Sequence, residues 1–216
     1  MNENYLTIAL PKGRLGDEAI LKFKGIGYGD VILSDSRKLI FIDDEKKLKF
    51  MLVKPSDVMT YVESGVADLG IIGSDTLLED EKNLYELLPL DFGFCTFAVA
   101  GKKGEEIHQR DDVLRIATKY PNTTKKYFKE KNQAIEIIKL NGSVELAPLV
   151  GLSDVIVDIV ETGKTLKANG LEVLETMMDV SARLISNPVS YRFKYQIIRD
   201  LMDKLKKVGS IYVKNN

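Results

Sequence analysis

Short apolar runs recur along this chain, each followed by a polar or amphipathic stretch, and that alternation predicts parallel strands joined by covering helices. The runs YLTIAL (5–10), KLIFI (38–42), LKFMLV (48–53), DLGIIG (68–73), FCTFAVA (94–100), LRIAT (114–118), AIEIIKL (134–140), DVIVDIV (154–160) and LEVLETMM (171–178) read as strands. Helices are expected over 14–24, 56–64, 121–131, 144–150 and 163–170, several behind a Ser, Asp, Asn, Gly or Pro suited to a helix start. The segment 191–208 gathers Phe193, Ile197, Ile198, Leu201, Met202, Leu205 and Val208 on one helical face and leaves Lys194, Arg199, Asp200, Lys204 and Lys207 elsewhere, which is the pattern of a packing helix. The fold class is α/β.

No low-complexity stretch, Pro/Ser-rich linker or internal repeat interrupts the pattern, so a domain boundary has to be made by chain that crosses between lobes. Two segments suit such a crossing, 88–104 and TMMDVSARLIS (176–186), where strand patterning resumes. They predict one lobe from 1–92 with 180–216 and a second from 93–179.

Composition narrows the function classes. With 31 basic and 32 acidic side chains the net charge is −1, so the global positive balance of a phosphate-backbone binder is missing and no nucleic-acid partner is expected. A single cysteine, Cys95, excludes an intramolecular disulfide and a cysteine metal cluster, and its apolar neighbours predict a buried thiol. The N-terminus has no basic start or apolar h-region, and no apolar run reaches the ~20 residues of a membrane helix. A cytoplasmic chain without a membrane partner is the expectation.

The segment DVIVDIVETGKTLKANG (154–170) carries the clearest chemistry: a strand, a short turn, then a helical stretch. A helix N-terminus offers unpaired N–H donors, Gly163 permits close backbone approach, and the hydroxyls of Thr162 and Thr165 add donors, which together suit a phosphate. Asp158, at the strand's end, is acceptor-only when ionised and could take the two ribose hydroxyls of a sugar 5′-phosphate seated in the turn. The GxxxxGK[ST] and GxGxxG spacings are absent, so NTP hydrolysis and hydride transfer lose support.

A second candidate is ALPKGRL (9–15), where Lys12, Gly13 and Arg14 follow the first strand and could hold phosphate oxygens, Arg14 through a bidentate fork. A third comprises Ser36, Arg37 and Lys38 with the stretch 54–75, in which Ser56 and Asp57 read as helix caps and a Gly-rich turn ends at Asp75. A fourth, Thr118, Lys119, Asn141, Gly142, Ser143 and Glu145, follows strand ends and could line an opposing wall. Lys125 and Lys126 read as a solvated helix face, and His108, the only histidine, as a surface residue in a polar stretch.

In this order ALPKGRL, DSRKLIF, KPSDVMTYVESGVADLGIIGSD, ATKYPNTTKKYF, LNGSVELAPLVGLSDVIVDIVETGKTL and the closing NP turn with its helix resemble the ATP phosphoribosyltransferase family, from about residue 5 to about residue 208. The resemblance implies a two-lobed fold like the periplasmic binding proteins (type II), each lobe a mostly parallel sheet with flanking helices and a substrate cleft between them. It implies transfer of phosphoribosyl from phosphoribosyl pyrophosphate (PRPP) to N1 of the adenine of ATP, a pentosyltransferase reaction opening histidine synthesis, with Mg²⁺ accompanying the pyrophosphate and no direct protein ligand to the metal. By similarity Asp158, Glu161, Thr162, Gly163, Lys164 and Thr165 would bind PRPP; Lys12, Gly13, Arg14, Asp75 and Glu145 would contact ATP; and Lys12, Arg14 and Arg37 would serve catalysis. Lys54 stands where many relatives carry arginine, keeping the charge and losing the planar fork. The length matches the short form of the family, which implies a regulatory subunit resembling histidyl-tRNA synthetase and self-association as a dimer or within a hetero-octamer.

Two alternatives remain open at this level: a non-catalytic two-lobed solute-binding module, and a phosphoribosyltransferase acting on another base. The first predicts an export signal, and the second is opposed by the matching segments outside 154–166.

Overall fold

The computed structural model describes residues 5–32, 37–105, 107–108 and 112–212, with side chains described up to Lys207. Ser36, and the side chain of Val208 on the packing helix, lie outside the described residues. The chain divides into two compact units, Met1–Leu77 with Glu81–Gly93 and Ser181–Asn216, and Leu78–Asp80 with Phe94–Val180.

The first unit is built on a sheet of order β2-β3-β1-β4-β11-β5, from β1 (Leu6–Pro11), β2 (Ile40–Asp43), β3 (Leu48–Val53), β4 (Leu69–Gly73), β5 (Tyr85–Pro89) and β11 (Ala182–Ser186). β1 pairs parallel with β3 and β4, while β2 and β11 run against their neighbours. β1 is buried on both faces, as a central strand must be. Its core side holds Phe23, Phe50, Leu6 and Leu10, with the Phe23 and Phe50 rings edge-to-face at 5.4 Å. Helix α1 (Arg14–Gly25) and helix α8 (Tyr195–Tyr212) cover that side; Val58, Met59 and Val62 of α2 (Val58–Glu63) cover the other.

The expected single helix over 191–208 is instead two, α7 (Pro188–Phe193) and α8, broken at Lys194. The break has a tertiary cause: the Lys194 ammonium reaches inward to Asp68 Oδ2 at 2.7 Å and to the Tyr5 carbonyl at 2.8 Å. Asp68 is buried, and its other oxygen accepts from Ser190 at 2.7 Å. Asn187 caps α7 through Val189 N and Ser190 N while its amide donates to the carbonyls of Val62 and Glu63 at the end of α2.

The second unit has the order β10-β6-β9-β7-β8, from β6 (Cys95–Lys102), β7 (Leu114–Thr118), β8 (Ile135–Lys139), β9 (Val155–Val160) and β10 (Leu171–Val180). β7 pairs parallel with β8 and β9, and β6 runs antiparallel between β9 and β10. Phe97, Val155, Val157 and Phe128 fill one face, the last from α4 (Pro121–Glu130). Ile156, Ala147, Leu166 and Leu171 fill the other. Cys95 is half-buried at the margin of the first of these cores, not inside it, because it opens β6.

A polar cluster fastens β10 to the end of α4. Glu175 pairs with Lys131, and His108 Nε2 lies 3.2 Å from Glu175 Oε2, outside hydrogen-bond geometry. Burial works against the Glu175 charge, yet hydrogen bonds from Lys131 and Tyr127 outweigh it and hold the carboxyl below its ordinary range. A depressed carboxylate stabilises the fold above its unfolded value and loses that contribution as pH falls through the folded one. Glu175→Gln is therefore expected to lower the melting temperature at pH 7 by about 2–4 °C, corresponding to ~1 kcal/mol, with the gap to wild type closing below pH ~4 in thermal scans.

Candidate active site

Parallel pairing brings the expected residues to the C-terminal edge of each sheet, where open α/β sheets present ligand-binding loops. In the first unit β1 ends at Pro11, and Lys12 N extends the ladder to Val53 O at 2.8 Å, so Lys12 stands beside Val53 and Lys54. Gly13 precedes α1 with φ +92, and Lys12, Gly13 and Arg14 are exposed. Gly16 explains the sharpness of this turn: a Cβ there would lie 1.7 Å from the Pro11 carbonyl oxygen, so α1 starts hard against the strand end. Arg37 is exposed just upstream of β2, and β2 antiparallel to β3 places that end at the same edge. Asp75 completes the set in the first turn of α3 (Ser74–Glu79), its carboxylate folded back over Gly73, where a Cβ would sit 2.0 Å from Asp75 Oδ1. Ser56 and Asp57 do not cap helices with their side chains; Ser56 Oγ donates to Asp57 Oδ1 at 2.9 Å.

In the second unit β9 runs into Glu161, Thr162 and Gly163, and then α6 (Lys164–Ala168). Gly163 is left-handed, φ +67 and ψ 7, a conformation in which glycine carries no Cβ penalty, and it sits at the helix N-cap. Glu161, Thr162, Lys164 and Thr165 are exposed around it, while Leu166 anchors the helix in the core. The helix is shorter than the expected 163–170, bounded by the left-handed residues Gly163 and Gly170. Asp158 lies within β9, not at its end, opposite Ala98 of β6. Strand alternation puts it on the face of Ile156 and Val160, where Leu166 packs, so the acid and the turn share one side of the sheet.

β7 and β8 end at this same edge. Glu145 precedes α5 (Leu146–Leu149), which is shorter than the expected 144–150 because left-handed Ser143 and Gly151 bracket it. Thr118 lines no wall: it is fully buried, its hydroxyl donating to Val157 O at 2.7 Å and accepting from Tyr120 N at 2.9 Å. The N-terminal amides of α4 are engaged too, since the Glu79 carboxylate accepts from Asn122 N and Thr123 N at 3.0 Å each. The sequence pattern left α3, and with it Glu79, unread. Lys125 and Lys126 are exposed as expected.

A cavity of about 360 Å³ in the first unit, among Leu6, Leu48, Tyr28, Lys46 and Lys204, opens at the N-terminal ends of β1 and β3. It lies across the sheet from the loop at Lys12–Arg14 and takes no part in the site.

The comparisons with known proteins bear on the family and the fold. A family model described as HisG, ATP phosphoribosyltransferase, matches residues 54–207, more than half of the chain. The chain belongs to the ATP phosphoribosyltransferase family. It is 65% identical over 199 residues to the ATP phosphoribosyltransferase of Clostridioides difficile strain 630, covering 92% of this chain and 96% of that one. It is 54% identical over 209 residues to that of Caldanaerobacter subterraneus subsp. tengcongensis, with 95% and 98% covered. Among solved structures, the ATP phosphoribosyl transferase (HisG:HisZ) complex from Thermotoga maritima superposes with a TM-score of 0.80 at 40% identity, over 95% of this chain and 98% of that one. The two-unit α/β organisation is of the type II periplasmic-binding-protein class that the resemblance implied. Among the described residues of this family member no helix is long and apolar enough to cross a membrane.

Proposed function

We propose that this chain transfers the phosphoribosyl group of PRPP to N1 of the adenine of ATP. The observation that carries the reading is the β9 edge, where Asp158, the left-handed Gly163 and the start of α6 share one side of the sheet in a member of this family. The turn amides and the hydroxyls of Thr162 and Thr165 hold the 5′-phosphate, Lys164 adds charge, and Asp158 accepts from the ribose hydroxyls, with Glu161 beside them. Lys12, Gly13 and Arg14 meet the anionic groups of the nucleotide, with Asp75 and Glu145 toward its sugar and base.

The N1 lone pair of adenine forms the new bond at the anomeric carbon as the bond to the pyrophosphate oxygen breaks, with inversion and departure of pyrophosphate. Lys12, Arg14 and Arg37 neutralise the charge that builds on the leaving group, so positioning and electrostatics supply the catalysis. Mg²⁺ arriving with PRPP would lower the charge on the pyrophosphate and make it a better leaving group. Such an ion would be held by the pyrophosphate and water, with Asp158 and Glu161 meeting it only through that water. The Thermotoga relative forms a HisG:HisZ complex, and we place this chain in an equivalent hetero-oligomer with a histidyl-tRNA-synthetase-like regulatory subunit.

The test is incubation with ATP, PRPP and Mg²⁺, with the regulatory subunit supplied, following the ultraviolet absorbance of the N1-substituted product. Product that requires all three components is expected; its absence overturns the reading.

A further inference from the structure

Arg14 opens α1 on an exposed turn. One helical turn on, Glu18 Oε1 lies 4.0 Å from Arg14 Nε. Its other oxygen, Oε2, accepts from the backbone amide of Gly93 at 2.9 Å. Gly93 is itself held firmly. Its φ is +65, and a Cβ there would lie 2.5 Å from Leu15 Cδ1. The preceding residue, Phe92, accepts from Ala182 N at 3.0 Å, and Leu90 N donates to Ala182 O at 2.9 Å. A further turn along α1, the buried Lys22 pairs with Asp91. The same face of α1 thus clasps residues 91–93 twice, and the Glu18 carboxylate is held at one oxygen by a backbone amide.

We propose that Glu18 is a positioning residue for Arg14. A carboxylate anchored on the Gly93 amide faces the Nε side of the guanidinium, and a guanidinium oriented there meets a phosphate through Nη1 and Nη2, the pair that makes the bidentate fork. The pair contributes little to stability, because Arg14 is 54% exposed and Glu18 31%. Its effect is to add to the restraints on the Arg14 rotamer before substrate arrives. The inference rests on Arg14 serving the reaction as proposed above.

The test is steady-state kinetics of the enzyme with its regulatory subunit, for Glu18→Gln, Arg14→Ala and the double variant, together with melting temperatures. Glu18→Gln keeps an oxygen for the Gly93 amide and removes the charge beside Arg14. It is expected to lower kcat/KM about tenfold with an unchanged melting temperature, and to have no further effect once Arg14 is alanine. A Glu18→Gln enzyme with wild-type kcat/KM, or losses that simply multiply in the double variant, overturns the proposal. If Arg14→Ala itself leaves kcat/KM intact, the role of Arg14 fails and this inference with it. If Arg14→Ala is impaired and Glu18→Gln is not, only the inference fails.

Discussion

Asp158→Ala is expected to lower kcat/KM for PRPP by about 10²–10³-fold, the loss of ~3–4 kcal/mol of binding and transition-state stabilisation, while the melting temperature shifts by no more than about 2 °C. The asymmetry follows from where the acid stands. Asp158 is partly exposed on a strand whose ladder to Ala98 uses backbone groups that alanine retains. Its side chain does not belong to the apolar set of Ile156, Ala147 and Leu166 that secures this face, and the bond alanine removes, from Ile159 N to Asp158 Oδ1 at 2.8 Å, is part-buried and worth about 1 kcal/mol or less. Thr165→Ala is expected to follow the same pattern with a smaller loss, about tenfold, since the bonds that fasten α6 there, from Asn169 N and Nδ2, go to the Thr165 carbonyl and not to its hydroxyl. Parallel calorimetry and initial-rate measurements decide the matter: a fall in stability matching the fall in activity would make the β9 turn an ordinary structural connection.

Gly16→Ala is expected to do the reverse, removing folded enzyme without touching a substrate contact. A methyl 1.7 Å from the Pro11 carbonyl oxygen meets backbone, not the movable end of a side chain. The strand end and the first turn of α1 must part, and the amides of Gly16 and Asp17, which donate to Gly13 O at 2.9 and 3.0 Å, part with them. A destabilisation of ~3 kcal/mol or more is expected, read as a lowered denaturant midpoint or loss of soluble protein. A Gly16→Ala enzyme of wild-type stability would mean that β1 and α1 join less tightly than this geometry requires. Gly163→Ala is a useful contrast. No backbone crowds it, the nearest atom to a Cβ being Val160 Cγ1 at 3.9 Å, so only the left-handed conformation opposes the substitution.

Much of the second unit was legible in the residues. DVIVDIV followed by ETGKT announced a strand, a glycine turn and a helix start because each depends on neighbours a few positions away, and β9, Gly163 and α6 follow in that order. ALPKGRL was legible as a strand ending in two cations around a glycine, but Gly16, which sets the angle of that ending, was not. Its importance comes from an oxygen five positions back, reached only when the helix folds against the strand. β5 has no local signature for a different reason: of its residues only Leu88 is buried, and it exists by pairing with β11, about a hundred positions away. Thr118 looks available in sequence because a threonine closing a strand shows no partner until the carbonyl of Val157 is placed beside it.

By itself the sequence determined most of the strands and helices, the family, and the residue types that gather after strand ends, since burial alternation, glycine turns and helix starts are local properties of the chain. Only the tertiary structure decided that LEVLETMMDV and ARLIS, one residue apart, belong to two different sheets. It likewise decided that 191–208 breaks at Lys194, and that Glu18 accepts from the Gly93 amide. These outcomes depend on which distant strand supplies a hydrogen-bond partner and on which buried acid claims an ammonium, and no window along the chain contains both partners at once.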